Sequence, residues 1–222
     1  MAQNKKLAIV VPCYNEISTI VETYRKVKQF GIPIIVDDCS NDGTKEKLKS
    51  EKIDFISNEL KSGYEITIKN GFNYIFKNFN EIEYVATIDA DLELPAEYLS
   101  KLYDKAVKED LDIVIGSRNK LNRFTELILK ILFNLKFNIK DPISGLKIYK
   151  IKKLKDIFDK ASNELFLVDI LIYSFYKKLK IGSENITTKK RAGKPRVGTS
   201  LLVNFKIINI ILNSLSTKKF KQ

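Results

Sequence analysis

Two aspartates one residue apart, Asp89 and Asp91, follow the apolar run of residues 84–88. If that run is a strand, the pair falls where the chain leaves the sheet, and both carboxylates can turn toward one point. Two hard oxygen ligands suit Mg²⁺ or Mn²⁺, ions that keep several waters and complete their shells with substrate phosphates, so few protein ligands are needed. Asp-x-Asp alone is a common solvated turn, and its meaning depends on context. The context is a second acidic pair, Asp37-Asp38, at the end of another apolar run, with Ser40, Asn41, Asp42, Gly43 and Thr44 behind it. Asn41-Asp42-Gly43 is turn chemistry, and Asp42 or Thr44 can cap the next helix. A turn does not explain two further adjacent acids, which are costly to crowd unless a donor or a cation is expected. An acid there can accept hydrogen bonds from a base or a ribose.

The chain contains no histidine. That removes Ser-His-Asp hydrolysis, Cys-His nucleophiles and His-ligated zinc, and leaves the chemistry to carboxylates, Arg and Lys. Cys13 and Cys39 are too few for a disulfide framework, and a reduced intracellular setting is expected.

The elements that must position these acids follow a βαβ series. Strands are predicted over residues 7–11, 33–36, 53–56, 84–88 and 113–115, and helices over 18–30, 45–51, 64–78 and 96–109. The polar groups gather where strands end, the place at which open α/β sheets bind ligands. After Arg118 the pattern turns more helical: residues 124–137, a turn at 141–145, a short strand, then helices from Lys152 and Phe166. The expected class is α/β, a mostly parallel Rossmann-like sheet with flanking helices.

The chain has 222 residues and a net charge of +12 that is unevenly placed. Residues 177–222 hold 12 of the 39 Lys+Arg and one acid, Glu184, so the remainder is almost neutral. A basic tail beside a neutral body suits a polyanionic partner or a solvated surface. Residues 201–215 are mostly apolar, and positions 206, 209, 213 and 216 trace a polar stripe at helical spacing. Such a helix is too short to span a bilayer; it can lie in a lipid interface, pack on the body or form a dimer seam. No leader opens the chain and no apolar run is long enough to cross a membrane, so neither secretion nor a span is expected. The expected organisation is a catalytic domain over 1–198 and a basic amphipathic helix and tail over 199–222.

Taken together, Val11-Pro12-Cys13-Tyr14-Asn15-Glu16, Val36-Asp37-Asp38-Cys39-Ser40-Asn41-Asp42-Gly43-Thr44 and Asp89-Ala90-Asp91-Leu92-Glu93-Leu94-Pro95 resemble, in order and spacing, the family 2 glycosyltransferases. The match continues through Gly116-Ser117-Arg118 and Asp141-Pro142-Ile143-Ser144-Gly145, and more loosely through Arg191-Ala192-Gly193-Lys194-Pro195-Arg196. These later elements look most like the dolichyl- or polyprenyl-phosphate mannose and glucose synthases. The resemblance spans about residues 7–198. Two departures are Leu60-Lys61-Ser62-Gly63, where the family has Gly-Lys-Gly, and Pro195-Arg196 in place of Ser-Lys.

The resemblance implies a GT-A fold in which Pro12, Tyr14, Glu16, Val36 and Asp38 line the nucleotide pocket. Asp89 and Asp91 would bind the metal and diphosphate, with Glu93 a further ligand or a solvated side chain. Arg118, Arg191 and Arg196 match positions that contact donor or acceptor phosphates, Arg123 is a weaker candidate for the acceptor phosphate, and Asp169 sits near an acidic position of the family. The implied reaction is an inverting transfer of a hexose from a GDP- or UDP-sugar. A polyprenyl phosphate acceptor is already anionic and needs no strong base, whereas a sugar or protein hydroxyl would need one, for which Asp141 is the candidate. The tail would hold the enzyme peripherally on the anionic inner face of the cell membrane. Nucleic acid is disfavoured as a partner, because the carboxylates would repel its backbone and no aromatic-basic RNA motif is present.

Overall fold

A computed structural model describes residues 6–121, 124–189 and 208–210 of the chain. Among these residues seven strands form one sheet: β1 (Leu7–Cys13), β2 (Ile32–Asp37), β3 (Phe55–Ser57), β4 (Tyr84–Thr87), β5 (Ile113–Arg118), β6 (Lys147–Lys150) and β7 (Ile181–Ile186). Their order across the sheet is β3-β2-β1-β4-β6-β5-β7. β1 pairs in parallel with β2 and β4, β2 with β3, and β5 with β7. Strand β6 runs antiparallel to both β4 and β5 and wedges between them. The sequence patterns anticipate the first five strands and the existence of β6, but neither its direction nor β7.

β1 reads as an unbroken apolar run because it is covered on both sides. Its alternate residues feed two separate cores. Ala8 and Val10 join Phe72, Leu129, Phe133, Tyr149 and Phe166 on one face. Leu7, Ile9 and Val11 join Ile20, Leu48, Leu99 and Leu102 on the other. The first face is covered by α3 (Tyr64–Asn78), α5 (Phe124–Phe137), α6 (Ile151–Phe158) and α7 (Phe166–Tyr176). The second is covered by α1 (Ile20–Val27), α2 (Thr44–Ser50) and α4 (Tyr98–Lys108). Helix α3 comes close to the sheet at Gly71, where a Cβ would stand 2.6 Å from Val10.

Ile210, in the short helical piece over 208–210, is buried and belongs to the core on the first face. That part of the C-terminal stretch therefore packs on the body. The rest of 199–222, together with Arg123, Arg191 and Arg196, lies outside the described residues. None of the described helices is long and apolar enough to cross a membrane.

Candidate active site

The site lies at the ends of β1, β2 and β4, where the strand order reverses about β1 and an open α/β sheet leaves a crevice. Two loops fasten each other on one side of it. The Asn15 amide donates to the Ser40 hydroxyl at 2.8 Å, and the Asn41 amide donates to the Asn15 side-chain oxygen at 2.9 Å. Asn15 and Cys39 both take positive φ (56° and 61°), a region that asparagine tolerates well and cysteine rarely enters. Asp42 accepts from the Ile17 amide and from the amide and hydroxyl of Thr44. Burial alone would raise its carboxyl, but these donors hold it below the usual carboxylate range.

The adjacent acids Asp37 and Asp38 divide their work. Asp37 is fully buried and accepts from the Ser40 amide (3.1 Å) and the Ser57 hydroxyl (3.3 Å), so it builds the turn. Burial and the Asp37 charge push the Cys13 thiol far up, which removes it as a nucleophile. Asp38 accepts from the amides of Ser62 (2.7 Å) and Gly63 (2.9 Å) and from the Asn58 side chain (2.9 Å). It pulls the 58–63 loop over the pocket and still faces the cleft.

That cleft, about 420 Å³, is bordered by Pro12, Tyr14, Glu16, Asp38, Asp89 and Asp91, together with Lys61, Tyr64, Thr67 and Gly145. The Lys61 ammonium stands 3.9 Å above the Tyr14 ring, so one wall is a paired aromatic and cation. Asp89 accepts from the Tyr64 hydroxyl at 2.8 Å. Burial, and then the neighbouring charge of Asp91, raise the Asp89 carboxyl to about 6, against the opposing pull of Tyr64, Arg118 and Lys147. Asp91 accepts from the Glu93 amide (3.0 Å) across Leu92, whose φ of 62° reverses the chain. The Thr23 hydroxyl of α1 donates to the Ala90 carbonyl between the two acids. Only glycine fits at 145, since a Cβ there would lie 2.1 Å from an Asp89 oxygen. The Thr87 hydroxyl holds the Gly145 carbonyl at 2.8 Å.

A crowded carboxylate pair with one member driven toward its neutral form is a donor set that a hard divalent cation relieves, and it fits Mg²⁺ or Mn²⁺. Glu93 does not join it: among the described residues no group of three or more potential metal-ligating side chains comes together. The Glu93 backbone is used instead, its amide on Asp91 and its carbonyl accepting from the Lys189 amide.

Val36 is also corrected. It is fully buried in the core where α3 crosses, two residues before β2 opens into the cleft, and does not line the pocket. Arg118, half-buried, pairs with the buried Asp141 outside the cleft lining. Asp141 accepts from the Arg118 amide (3.0 Å), Nε (2.9 Å) and the terminal guanidinium nitrogen (3.1 Å). Glu126 of α5 stands 3.6 Å from the same guanidinium, and the Lys130 ammonium donates to the Arg118 carbonyl at 2.9 Å. Asp169, also buried, accepts from the Ser162 amide and shapes the start of α7.

Tyr64 and Lys147 act on Asp89, through a hydrogen bond and through charge, and are not singled out by the sequence motifs; Gly145 ends one motif, without a role assigned there. Lys147 is fully buried and donates to the Ser144 carbonyl. Burial brings its ammonium down to about 8, while Asp141, Glu65 and Asp89 favour its charge. Its place at the start of a strand that follows an Asp-to-Gly turn is the one available signal, and that signal does not reveal burial.

Comparison with known proteins bears on the family and the fold. A chain from Methanocaldococcus jannaschii, the uncharacterized protein MJ1222, is 26% identical over 91% of this chain and 89% of its own length. The uncharacterized glycosyltransferases sll0501 of Synechocystis and YkcC of Bacillus subtilis are each 30% identical over about half of this chain, which spans under two fifths of their lengths. The fold is shared with glucosyl-3-phosphoglycerate synthase from Mycobacterium tuberculosis, solved with Mn²⁺, UDP-glucose and phosphoglyceric acid; the TM-score is 0.75 at 17% identity, over 96% of this chain and 80% of that one. The family model for glycosyl transferase family 2 matches residues 8–171, well over half of the sequence, and the chain belongs to that family.

Proposed function

We propose that this chain is an inverting, Mg²⁺- or Mn²⁺-dependent hexosyltransferase that moves a sugar from a GDP- or UDP-sugar to a membrane polyprenyl phosphate. The observation that carries the reading is the cleft in which Asp89 and Asp91 crowd together while a separately fixed cation, Arg118, lies close enough to lower the Asp89 carboxyl. Tyr14 and Lys61 would border the nucleoside, Asp38 would offer its remaining lone pairs to base or ribose, and Asp89 and Asp91 would hold the cation. When bound, that ion would neutralise charge on the leaving nucleoside diphosphate.

In the transfer, the bond from the anomeric carbon to the diphosphate oxygen breaks as a bond from the acceptor oxygen forms on the opposite face. A phosphate monoester oxygen is already an anion near neutral pH, so no general base is needed. Arg118, held in place by Asp141 and Glu126, is the positioned cation for that phosphate. The alternative acceptor, a hydroxyl activated by Asp141, is less favoured because both Asp141 oxygens already accept from Arg118.

The test is a panel of nucleoside diphosphate sugars incubated with Mg²⁺ or Mn²⁺ and each of three acceptors: polyprenyl phosphate, 3-phosphoglycerate and a free sugar. A lipid-linked sugar as the main product is the expected outcome. Transfer confined to either of the other acceptors would replace the acceptor assignment.

A further inference from the structure

Helix α5 has two apolar faces on opposite sides, and among the described residues only one of them is buried. At 100° per residue, Leu129, Phe133 and Phe137 point to one side and are buried, with Glu126 among them turned toward Arg118. Phe124, Leu127, Ile131 and Leu135 fall within about an 80° sector on the other side. They are 75%, 44%, 49% and 79% exposed. Single exposed apolar residues are ordinary on protein surfaces, but four in register along one helix make a contiguous patch. The stripe runs about 16 Å along the helix.

Charge selects the occupant. Between residues 120 and 140 the sequence has five bases and a single acid, Glu126, which is buried. Lys120 and Lys140 are exposed beyond the two ends of the stripe, whereas Lys130 and Lys136 lie about 60° to either side of the buried face, with the Lys130 ammonium on the Arg118 carbonyl. A second copy of the chain meeting this stripe would bring Lys120 and Lys140 of the two copies together with no exposed acid on α5 to pair them. An anionic lipid surface complements both features, taking the apolar side chains at the acyl boundary and the ammonium groups at the headgroups.

We infer that α5 lies on an anionic membrane surface through Phe124, Leu127, Ile131 and Leu135. The contact deepens the acceptor assignment above and rests on it for its purpose. The same helix grips Arg118 from its buried side, through Lys130 on its carbonyl and Glu126 beside its guanidinium, so the contact would hold Arg118 about one helix diameter from the bilayer surface. Ile210 is buried in the body, so this stretch of the C-terminal segment is not available for the same contact.

The experiment is flotation of the full chain with vesicles of phosphatidylcholine alone and of phosphatidylcholine mixed with phosphatidylglycerol. The double variant L127E/I131E is compared with V107E, a control at an exposed apolar site on α4. Binding to the anionic vesicles is expected to weaken about ten-fold or more in L127E/I131E and to be unchanged in V107E. Nucleoside diphosphate sugar binding, measured in solution, should stay unchanged in both and reports that the fold is intact. Equal vesicle binding by L127E/I131E and the parent chain overturns the inference. So does a parent dimer in sedimentation that L127E/I131E converts to monomer. Vesicle binding that depends on the stripe, with no transfer to polyprenyl phosphate in detergent, would keep the lipid contact and discard the acceptor assignment.

Discussion

The two halves of the sheet hold their charges in different ways. On the β1–β4 side, acids are fixed by neutral donors: Asp37 by Ser40 and Ser57, Asp38 by Ser62, Gly63 and Asn58, Asp89 by Tyr64. No cation is a hydrogen-bond partner of these acids among the described residues, so the negative charge of Asp38 and Asp89 remains available in the cleft. On the β5–β6 side, charges cancel inside the protein, with Arg118 between Asp141 and Glu126, and Lys147 close enough to Asp141 and Glu65 to feel their charge. The first arrangement leaves a negative site in want of a cation. The second builds a rigid cation whose position depends on its carboxylates, the more so because a buried pair that loses one member leaves an uncompensated charge.

The contrast predicts different failures. Asp91→Ala removes half of the cation site and releases the Glu93 amide at the Leu92 turn, so transfer should fall by about 10³-fold or more while the melting temperature falls by only a few degrees. Turnover and thermal melting on the same preparation check it; near-full metal-dependent activity in this variant would dismiss Asp91 as a ligand. Asp141→Asn should act through position instead. It keeps the shape, halves the hold on Arg118, and should destabilise the fold by about 2–4 kcal/mol. The KM for a phosphate acceptor should rise about ten-fold or more, with nucleotide-sugar binding unchanged. A loss confined to kcat, with the basic limb of its pH profile gone, would instead mark Asp141 as a general base.

How far these halves could be read from sequence follows from what each is made of. The acidic half was legible because apolar runs end in polar clusters at Tyr14, Asp38 and Asp89, and strand ends are where such clusters can converge. Residue patterning could not show that Asp37 and Asp38 face different tasks, since that depends on loops folding back at Ser40 and Ser62. Val36 went astray because proximity in sequence to Asp38 says nothing of the helix crossing above it. Lys147 was hidden for a related reason. A lysine on a short strand normally marks a solvated face, but β6 sits between β4 and β5, where both faces are covered. Strand β7, Ile-Gly-Ser-Glu-Asn-Ile, is polar because it is the sheet edge, and that composition argued against a strand at all.

The smallest effect concerns Asp89 and separates site chemistry from stability. Its carboxyl is raised to about 6 in the folded chain, chiefly by burial and next by Asp91. The folded state thus binds a proton more readily than the unfolded chain, so this contribution to stability is present at acid pH and is lost as pH rises through about 6. At pH 7.5 without divalent cation the charged carboxylate is a burden on the fold. Asp89→Asn removes the charge and can still accept from Tyr64, so it should stabilise the cation-free protein by about 1–2 kcal/mol at pH 7.5. In a melt that is a rise of about 2–8 °C. The gain should vanish near pH 4.5, where the parent Asp89 is protonated, and transfer should be lost at every pH. Melting curves at the two pH values in chelator decide the matter: an equal gain at both would show that Asn simply packs better, whereas a gain confined to the higher pH would show a negative site kept, at some cost in stability, for the cation it is built to receive.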